Sequence, residues 1–193
     1  MSTLLIAGTA PRAGKSTLAA ALLAYEQRYL QETTGKGLCL KPFTPRVADN
    51  GWLNLAQTWQ QLTQFTEEMV LMELPGSLGT PLTPEVTVAD IAWDWRLPVV
   101  LVAPVTAGLV GQLVAHVALA RQARVHLKGI VINPVEAQPT SQSAIALIEG
   151  LTQIPVLGQL PHLPDPNDSA ALAAAAAALD LERLFPLSML LAS

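Results

Sequence analysis

Residues 8–17 read GTAPRAGKST, and they follow the apolar stretch TLLIA at residues 3–7. An apolar strand, a glycine-rich turn and a Gly-Lys-Ser that opens a helix together form the context of a phosphate-binding loop. Gly8 and Gly14 permit a tight turn that points successive backbone N–H groups at phosphate oxygens, and the following helix adds its positive dipole end. The residues expected to contact nucleotide phosphates are Gly8, Thr9, Ala13, Gly14, Lys15, Ser16 and Thr17.

Two side chains in this pattern suit a magnesium ion that accompanies a nucleotide. Ser16 supplies a hydroxyl, and Glu73 follows the apolar residues 69–72, where a predicted strand ends. Parallel sheets bind ligands at the carboxyl ends of their strands, and magnesium prefers hard oxygen ligands. We therefore predict Ser16 and Glu73 as metal ligands, with a solvated loop acid as the alternative for Glu73.

Polar residues also follow other predicted strands. Lys41 precedes Pro42, and we expect Lys15 and Lys41 to stabilise negative charge on a transferred phosphoryl group or an anionic substrate. A surface lysine near a turn is an equally good interpretation of Lys41. Asn133 ends a later strand, and its amide can pair with the adenine edge, although a turn residue before Pro134 is the alternative. Pro161, His162 and Leu163 follow the last predicted strand and complete the expected base site.

Short apolar stretches alternate with helical ones along the whole chain, a pattern typical of a parallel sheet covered by helices on both faces. The predicted strands are Thr3–Ala7, Gly37–Lys41, Met69–Glu73, Val99–Ala103, Lys128–Ile132 and Pro155–Gly158. The predicted helices lie near Lys15–Leu30, Leu53–Glu67, Thr87–Trp95, Gly108–Gln122, Ser141–Leu151 and Asp168–Leu184. The sequence thus predicts one three-layer α/β domain over residues 1–193, with an apolar tail after Pro186.

The composition argues against several classes of protein. The 11 Lys and Arg residues are scattered among 15 Asp and Glu residues, which gives a net charge of -4 and no basic patch for nucleic acid. Residues 97–120 carry no charge, but Pro104 and Gly108 divide them into a strand, a turn and a helix rather than a membrane span. Cys39 is the sole cysteine, consistent with a cytoplasmic protein, and we expect it to be an inert core thiol.

The combined motifs resemble the ATP-dependent dethiobiotin synthetase family, and its cyanobacterial branch in particular. The resemblance rests on Gly8–Ser16, Gly37–Pro42, Glu73 with Gly76, Thr80–Leu82, Thr87–Asp90, Leu97–Val102, Lys128–Asn133 and Leu157–Pro161. It implies a P-loop fold, ATP and Mg²⁺ as cofactors, and a homodimer. It also implies a reaction in which diaminopelargonate and CO2 form a carbamate, ATP phosphorylates that carbamate, and a ureido ring closes as phosphate leaves.

The resemblance further implies roles for single residues. Lys15 and Lys41 would stabilise the carbamate and its phosphoric anhydride, Ser16 and Glu73 would hold magnesium, and residues 161–163 with Asn133 would receive adenine. Only 31 residues lie between Lys41 and Glu73, fewer than is typical of the family, and we place the shortening near residues 44–51. Asp49 is the candidate replacement for a metal ligand lost there, with a solvated loop acid as the alternative.

Two other functions remain open at this stage. The shortened chain is also compatible with a catalytically weak nucleotide-binding or regulatory module of the same fold. A related amidotransferase-like synthase is a third interpretation, but no sequence signal of a glutaminase accompanies it.

Overall fold

A parallel six-stranded sheet forms the centre of the molecule. The computed structural model describes residues 2–30, 39–66, 68–134 and 140–185. The strands are β1 (Ser2–Gly8), β2 (Leu40–Phe43), β3 (Met69–Ser77), β4 (Val99–Pro104), β5 (Leu127–Asn133) and β6 (Val156–Gln159). Their spatial order is β2-β3-β1-β4-β5-β6, and every neighbouring pair is parallel. The predicted α/β fold is confirmed.

Seven α-helices connect or follow these strands within the described residues. They are α1 (Lys15–Tyr25), α2 (Leu55–Leu62), α3 (Val88–Asp94), α4 (Leu109–Gln122), α5 (Gln142–Thr152), α6 (Ser169–Ala177) and α7 (Leu181–Leu184). Helix α1 continues as a π-helical turn over Glu26–Leu30. Side-chain oxygens of Asn54, Thr87, Ser141 and Asp168 accept backbone N–H groups at the starts of four helices.

The alternation of side chains along the strands divides the core into two layers. On one face, Leu4, Ile6 and Leu71 pack with Leu18 and Leu22 of α1, and α6 covers the same layer. The opposite face packs against α3, α4 and α5 through buried residues that include Leu5, Met72, Leu101, Ile91, Leu113 and Ile148. Burial on both faces explains why the strands are nearly continuous apolar runs.

Strand β3 is longer than the sequence predicts. It continues past Glu73 to Ser77 and includes Pro75, although proline is usually excluded from central strands. The partner strand β2 ends at Phe43, which pairs with Met72, so the later part of β3 pairs only with β1. Pro75 therefore lies where β3 has a free edge, and no ladder bond on that side is lost.

The last predicted helix, Asp168–Leu184, is two helices in the structure. Between α6 and α7, the backbone N–H of Asp180 donates to the carbonyl of Leu157 over 2.8 Å, and the side chain of Leu179 lies above Gly158. The Asp180 side chain then caps α7. A contact with β6, distant in sequence, thus breaks a helix that alanine propensity alone predicts to be continuous.

Several smaller differences concern the ends of elements. Helix α2 covers Leu55–Leu62 rather than Leu53–Glu67, and β2 starts at Leu40 and runs two residues beyond Lys41. Cys39 is exposed, so the prediction of a core thiol is wrong, because the buried part of β2 begins one residue later. Gly37, Glu67, Pro186 and the apolar tail lie outside the described residues.

The uncharged stretch of residues 97–120 forms β4, a turn and most of α4, as predicted. Among the helices of the described part of the chain, none has the length and apolarity that crossing a bilayer requires.

Candidate nucleotide-binding and catalytic site

The loop between β1 and α1 has a shape that requires glycine at two positions. Gly14 is the N-cap of α1 and has a left-handed backbone with φ of 99°. A Cβ added to Gly14 would lie 2.1 Å from Nδ2 of Asn133, and one added to Gly8 would lie 2.9 Å from the carbonyl oxygen of Ala10. The loop is therefore a tight turn closed against the sheet, as the sequence predicts for a phosphate-binding loop.

Bonds from two other strands hold this loop in place. The backbone N–H of Thr9 donates to the carbonyl of Val102 in β4 over 3.0 Å. From the end of β5, Nδ2 of Asn133 donates to the carbonyl of Ala13 over 3.0 Å. Ala13 is fully buried. The loop's backbone is thus fixed by the strand ends that surround it.

Lys15 reaches from the first turn of α1 to the end of β3. Its Nζ donates to the carbonyl of Gly76 over 3.1 Å, and its side chain is half-buried. Burial lowers the pKa of Lys15 from its usual 10.5, while the nearby Glu73 carboxylate acts in the opposite direction. The ammonium group therefore lies at the carboxyl edge of the sheet beside an acidic partner.

Ser16 and Glu73 meet directly. The hydroxyl of Ser16 donates to Oε2 of Glu73 over 2.7 Å, although 57 residues separate them in sequence. Register explains the meeting, because Glu73 pairs with Ile6 of β1, two residues before the loop begins. The structure thus brings together the two predicted oxygen ligands.

The end of β3 is itself held by residues that sequence reasoning did not assign to the site. Gly76 has a φ of 70°, and a Cβ there would lie 2.1 Å from Oγ1 of Thr80. The same Oγ1 accepts the backbone N–H of Ser77 over 2.7 Å. Thr80 therefore fixes the turn that presents the Gly76 carbonyl to Lys15. The small residue at position 76 is the signal in the sequence that a close approach occurs there.

Thr9, in the loop, has a buried hydroxyl group. The residue is 6% exposed, and its hydroxyl has no hydrogen-bond partner among the described residues. A buried hydroxyl without a partner is costly in a folded protein. Thr17, also predicted to contact phosphate, is half-buried in the first turn of α1.

The residues predicted to hold adenine lie at the ends of neighbouring strands. Asn133 ends β5 and contacts the phosphate loop rather than standing apart from it. Pro161 and His162 follow β6 and are exposed. Leu163 is half-buried and packs against the core layer between the sheet and α1. All strands of the sheet are parallel, so the residues that follow β5 and β6 lie at the same edge of the sheet as the phosphate loop, which follows β1.

Lys41 is placed differently from the other predicted residues. It pairs with Val70, three residues before Glu73, in the middle of β2 rather than at its end. That offset is about 10 Å along a strand. Pairing with Val70 puts Lys41 on the α3 and α4 face, whereas Glu73 pairs with Ile6 on the α1 face. Its side chain is exposed.

Asp49 lies on the short connection between β2 and α2. It is exposed and lines an open groove of about 640 Å³, together with Thr44, Arg46, Asn54 and Gln57. Neither Ser16 nor Glu73 lines that groove. Within the described ranges, no group of three or more His, Cys, Asp or Glu side chains is arranged to hold a metal ion.

Comparison with known proteins identifies the family. The profile of an AAA domain matches residues 35–170. The chain is 40% identical to the ATP-dependent dethiobiotin synthetase BioD of Gloeothece citriformis over 226 aligned positions, which cover 97% of this chain and all of the relative. The protein belongs to the ATP-dependent dethiobiotin synthetase family. The dethiobiotin synthetase of Gloeobacter violaceus is 37% identical and covers 94% of this chain and 95% of its own.

These alignments also measure how short this dethiobiotin synthetase homologue is. An alignment of 226 positions against a chain of 193 residues leaves at least 33 positions of the Gloeothece protein without a counterpart.

Solved structures support the fold alone. A ParA family ATPase from Chlorobium tepidum superposes with a TM-score of 0.59 at 9% identity, covering 95% of this chain and 98% of that one. The MinC:MinD cell division complex of Aquifex aeolicus gives a TM-score of 0.60 at 9% identity, with 95% and 94% covered. This dethiobiotin synthetase homologue therefore shares its fold with those two proteins.

Proposed function

We propose that this protein is an ATP-dependent ligase that forms dethiobiotin from diaminopelargonate and CO2. The observation that carries the proposal is the meeting of Lys15, Ser16 and Glu73 at one strand end. That arrangement occurs in a chain 40% identical, over nearly its whole length, to a dethiobiotin synthetase.

The reaction needs an activated carbonyl carbon. One amine of the substrate adds to CO2 and loses a proton, which gives a carbamate. A carbamate oxygen attacks the terminal phosphorus of ATP, and the bond from that phosphorus to the bridging oxygen breaks as ADP leaves. The second amine then attacks the carbamoyl carbon and loses a proton to solvent, the carbon–oxygen bond to phosphate breaks as inorganic phosphate leaves, and the ureido ring closes.

The phosphate loop is the part of the site that positions ATP. The backbone N–H groups of the loop and the dipole at the start of α1 would bind the phosphates. Lys15 would place its ammonium against the charge that develops on the transferred phosphoryl group, in place of its bond to the Gly76 carbonyl. Thr9 offers the hydroxyl that otherwise lacks a partner.

Magnesium fits the remaining groups. The Ser16 hydroxyl and the Glu73 carboxylate are hard oxygen donors 2.7 Å apart, a donor set that Mg²⁺ prefers when it keeps several waters. When bound, the ion neutralises phosphate charge. Asp49 is the third candidate ligand, on the loop that follows β2.

Base recognition is assigned to Asn133 and residues 161–163. The Asn133 amide uses one N–H for Ala13, which leaves its oxygen and its second N–H for the adenine edge. Lys41 is assigned to the carbamate end of the substrate on the resemblance to the family alone, because its position in β2 does not bring it to Lys15 and Glu73. A homodimer in the cytoplasm completes the proposal, as the resemblance to the family implies.

A coupled assay tests the function directly. Purified protein is supplied with diaminopelargonate, bicarbonate, ATP and magnesium, and both phosphate and dethiobiotin are measured. Formation of the two in equal amounts supports the ligase. Lys15→Ala is the control, with kcat expected to fall on the order of 10²- to 10³-fold, because a charge on the transferring group is lost.

The shortened chain favours one second candidate, a nucleotide-binding module without turnover. At least 33 aligned positions of a relative are missing here, which is enough chain to build part of a substrate site. In that case the protein binds ATP with magnesium, but diaminopelargonate and bicarbonate do not increase phosphate release.

A further inference from the structure

A second pocket lies at the edge of the sheet opposite the phosphate loop. Its volume is about 240 Å³, below the range of about 300–1,000 Å³ typical of drug-sized ligands. It is lined by Ser2, Thr3, Met69, Trp95, Arg96, Leu97, Pro98, Lys128 and Leu184. Strand β1 has seven residues, so the pocket and the loop lie at opposite ends of about 20 Å of strand.

Two cationic side chains line this pocket without a counter-charge. Arg96 is exposed at the end of α3, and Lys128 is half-buried near the start of β5. Across the ranges that the structure describes, neither side chain has an ion-pair or hydrogen-bond partner. No described residue of the pocket lining is acidic. The pocket therefore favours an anion.

The position of Arg96 is fixed by the backbone. Its φ is 52°, a left-handed conformation, and bonds from Arg96 N to the carbonyl of Trp93 and from Leu97 N to the carbonyl of Ala92 hold it there. These bonds close the C-terminus of α3. The guanidinium thus starts from a rigid backbone at the rim of the pocket.

Thr3 adds an unpartnered hydroxyl to the same lining. The residue is 5% exposed, and Oγ1 has no hydrogen-bond partner among the described residues. A buried hydroxyl of this kind is available to bond a polar ligand atom.

The rest of the lining is apolar. Met69, Leu97 and Leu184 are buried core residues, and Trp95 contributes a half-buried indole. Such walls suit hydrocarbon, whereas the rim suits a carboxylate. Ammonium groups on a ligand would meet Arg96 and Lys128 with no acid to balance them.

We propose that this pocket binds a small aliphatic monocarboxylate, with its carboxylate between Arg96 and Lys128 and its chain against the apolar wall. The ligand carries no ammonium group. The site is separate from the proposed ATP site and does not depend on the proposed function.

Calorimetric titration of the full chain with hexanoate tests the proposal. We expect one hexanoate per chain, and at least tenfold weaker binding to the double variant Arg96→Gln, Lys128→Gln. Arg28→Gln, which removes one positive charge from an exposed residue outside the pocket lining, leaves binding unchanged. Absence of hexanoate binding, or equal binding to the double variant, overturns the proposal.

Two further compounds test which part of hexanoate the pocket recognises. 1-Hexanol, which lacks the carboxylate, is expected not to bind, and inorganic phosphate is expected to bind more weakly than hexanoate. The reverse of either result overturns the proposal.

Saturating ADP tests the location of the site. We expect ADP to leave the affinity for hexanoate unchanged, whereas competition would put hexanoate in the nucleotide site and overturn the assignment. A competition titration with dethiobiotin identifies which monocarboxylate the pocket takes. If dethiobiotin displaces hexanoate, the pocket binds the product of the proposed reaction; if dethiobiotin does not displace hexanoate, the pocket binds a simple fatty acid.

Discussion

The side-chain amide of Asn133 donates a hydrogen bond to the carbonyl of Ala13 across 120 residues of sequence. This bond ties the end of β5 to the phosphate loop, and the same amide lies where a Cβ on residue 14 would otherwise project. Asn133 is therefore a positioning residue for the loop in addition to its assigned contact with adenine. One side chain thus links the proposed base site to the proposed phosphate site.

Replacing Asn133 is expected to weaken binding of phosphates even when no base is present. Asn133→Ala removes a bond that is worth about 0.5–1.5 kcal/mol net, which corresponds to roughly 2- to 12-fold in affinity. The measurement is the dissociation constant of magnesium tripolyphosphate, which has no adenine, beside that of ATP. Asn133→Asp keeps the shape but loses the donor, and it is expected to weaken tripolyphosphate binding as well. Unchanged tripolyphosphate affinity in both variants would limit Asn133 to the base.

Ser16 and Glu73 are expected to set the magnesium requirement. Ser16→Ala removes the hydroxyl oxygen, and Glu73→Gln removes the negative charge of the carboxylate. The Mg²⁺ concentration for half-maximal ATP turnover is therefore expected to rise about tenfold in each variant. Because the two groups are in contact, the effects in the double variant are expected not to add. Ser16→Thr keeps the hydroxyl and serves as the control. Asp49→Asn extends the series to the third candidate, and an unchanged requirement would remove Asp49 from the metal site.

The protonation of Lys15 gives a pH dependence with a defined sign. Burial lowers the pKa of Lys15 below 10.5, and Glu73 opposes that shift. Affinity for nucleotide phosphates is therefore expected to fall as the pH rises through this lowered pKa, because the neutral amine carries no charge. A ¹³C titration of the Lys15 Cε resonance gives the midpoint directly, and Glu73→Gln is expected to move it lower still. In Lys15→Arg the side chain stays charged, so the alkaline loss of affinity disappears. A wild-type midpoint at or above 10.5 would contradict this account.

Local signals in the sequence suffice to predict much of the fold and of the candidate site. The strand, loop and helix around Gly8–Ser16 follow from adjacent residues. Glu73 can be predicted as a site residue because an acidic residue that ends an apolar strand lies at the carboxyl edge of a parallel sheet, where ligands bind. Its contact with Ser16 then follows from the pairing of β1 with β3.

What the sequence does not predict depends on contacts between distant segments. The extension of β3 through Pro75 requires knowing that β2 stops at Phe43. The break at Ala178–Asp180 arises from a bond to Leu157, and the role of Thr80 arises from its position over Gly76. Pairing and close approach of this kind have no periodic signature in a single sequence.

The cap of α6 offers a test of stability that leaves the proposed site untouched. Oδ1 of Asp168 accepts the backbone N–H groups of Ala170 over 2.9 Å and Ala171 over 3.1 Å. Asp168→Ala leaves both donors without this acceptor, so the free energy of unfolding is expected to fall by about 1 kcal/mol. Urea denaturation followed by circular dichroism measures the change. Asp168→Asn keeps an acceptor oxygen at the same place and is expected to retain most of the stability. Equal loss in the two variants would show that the negative charge at the helix start, rather than the hydrogen bonds, stabilises α6.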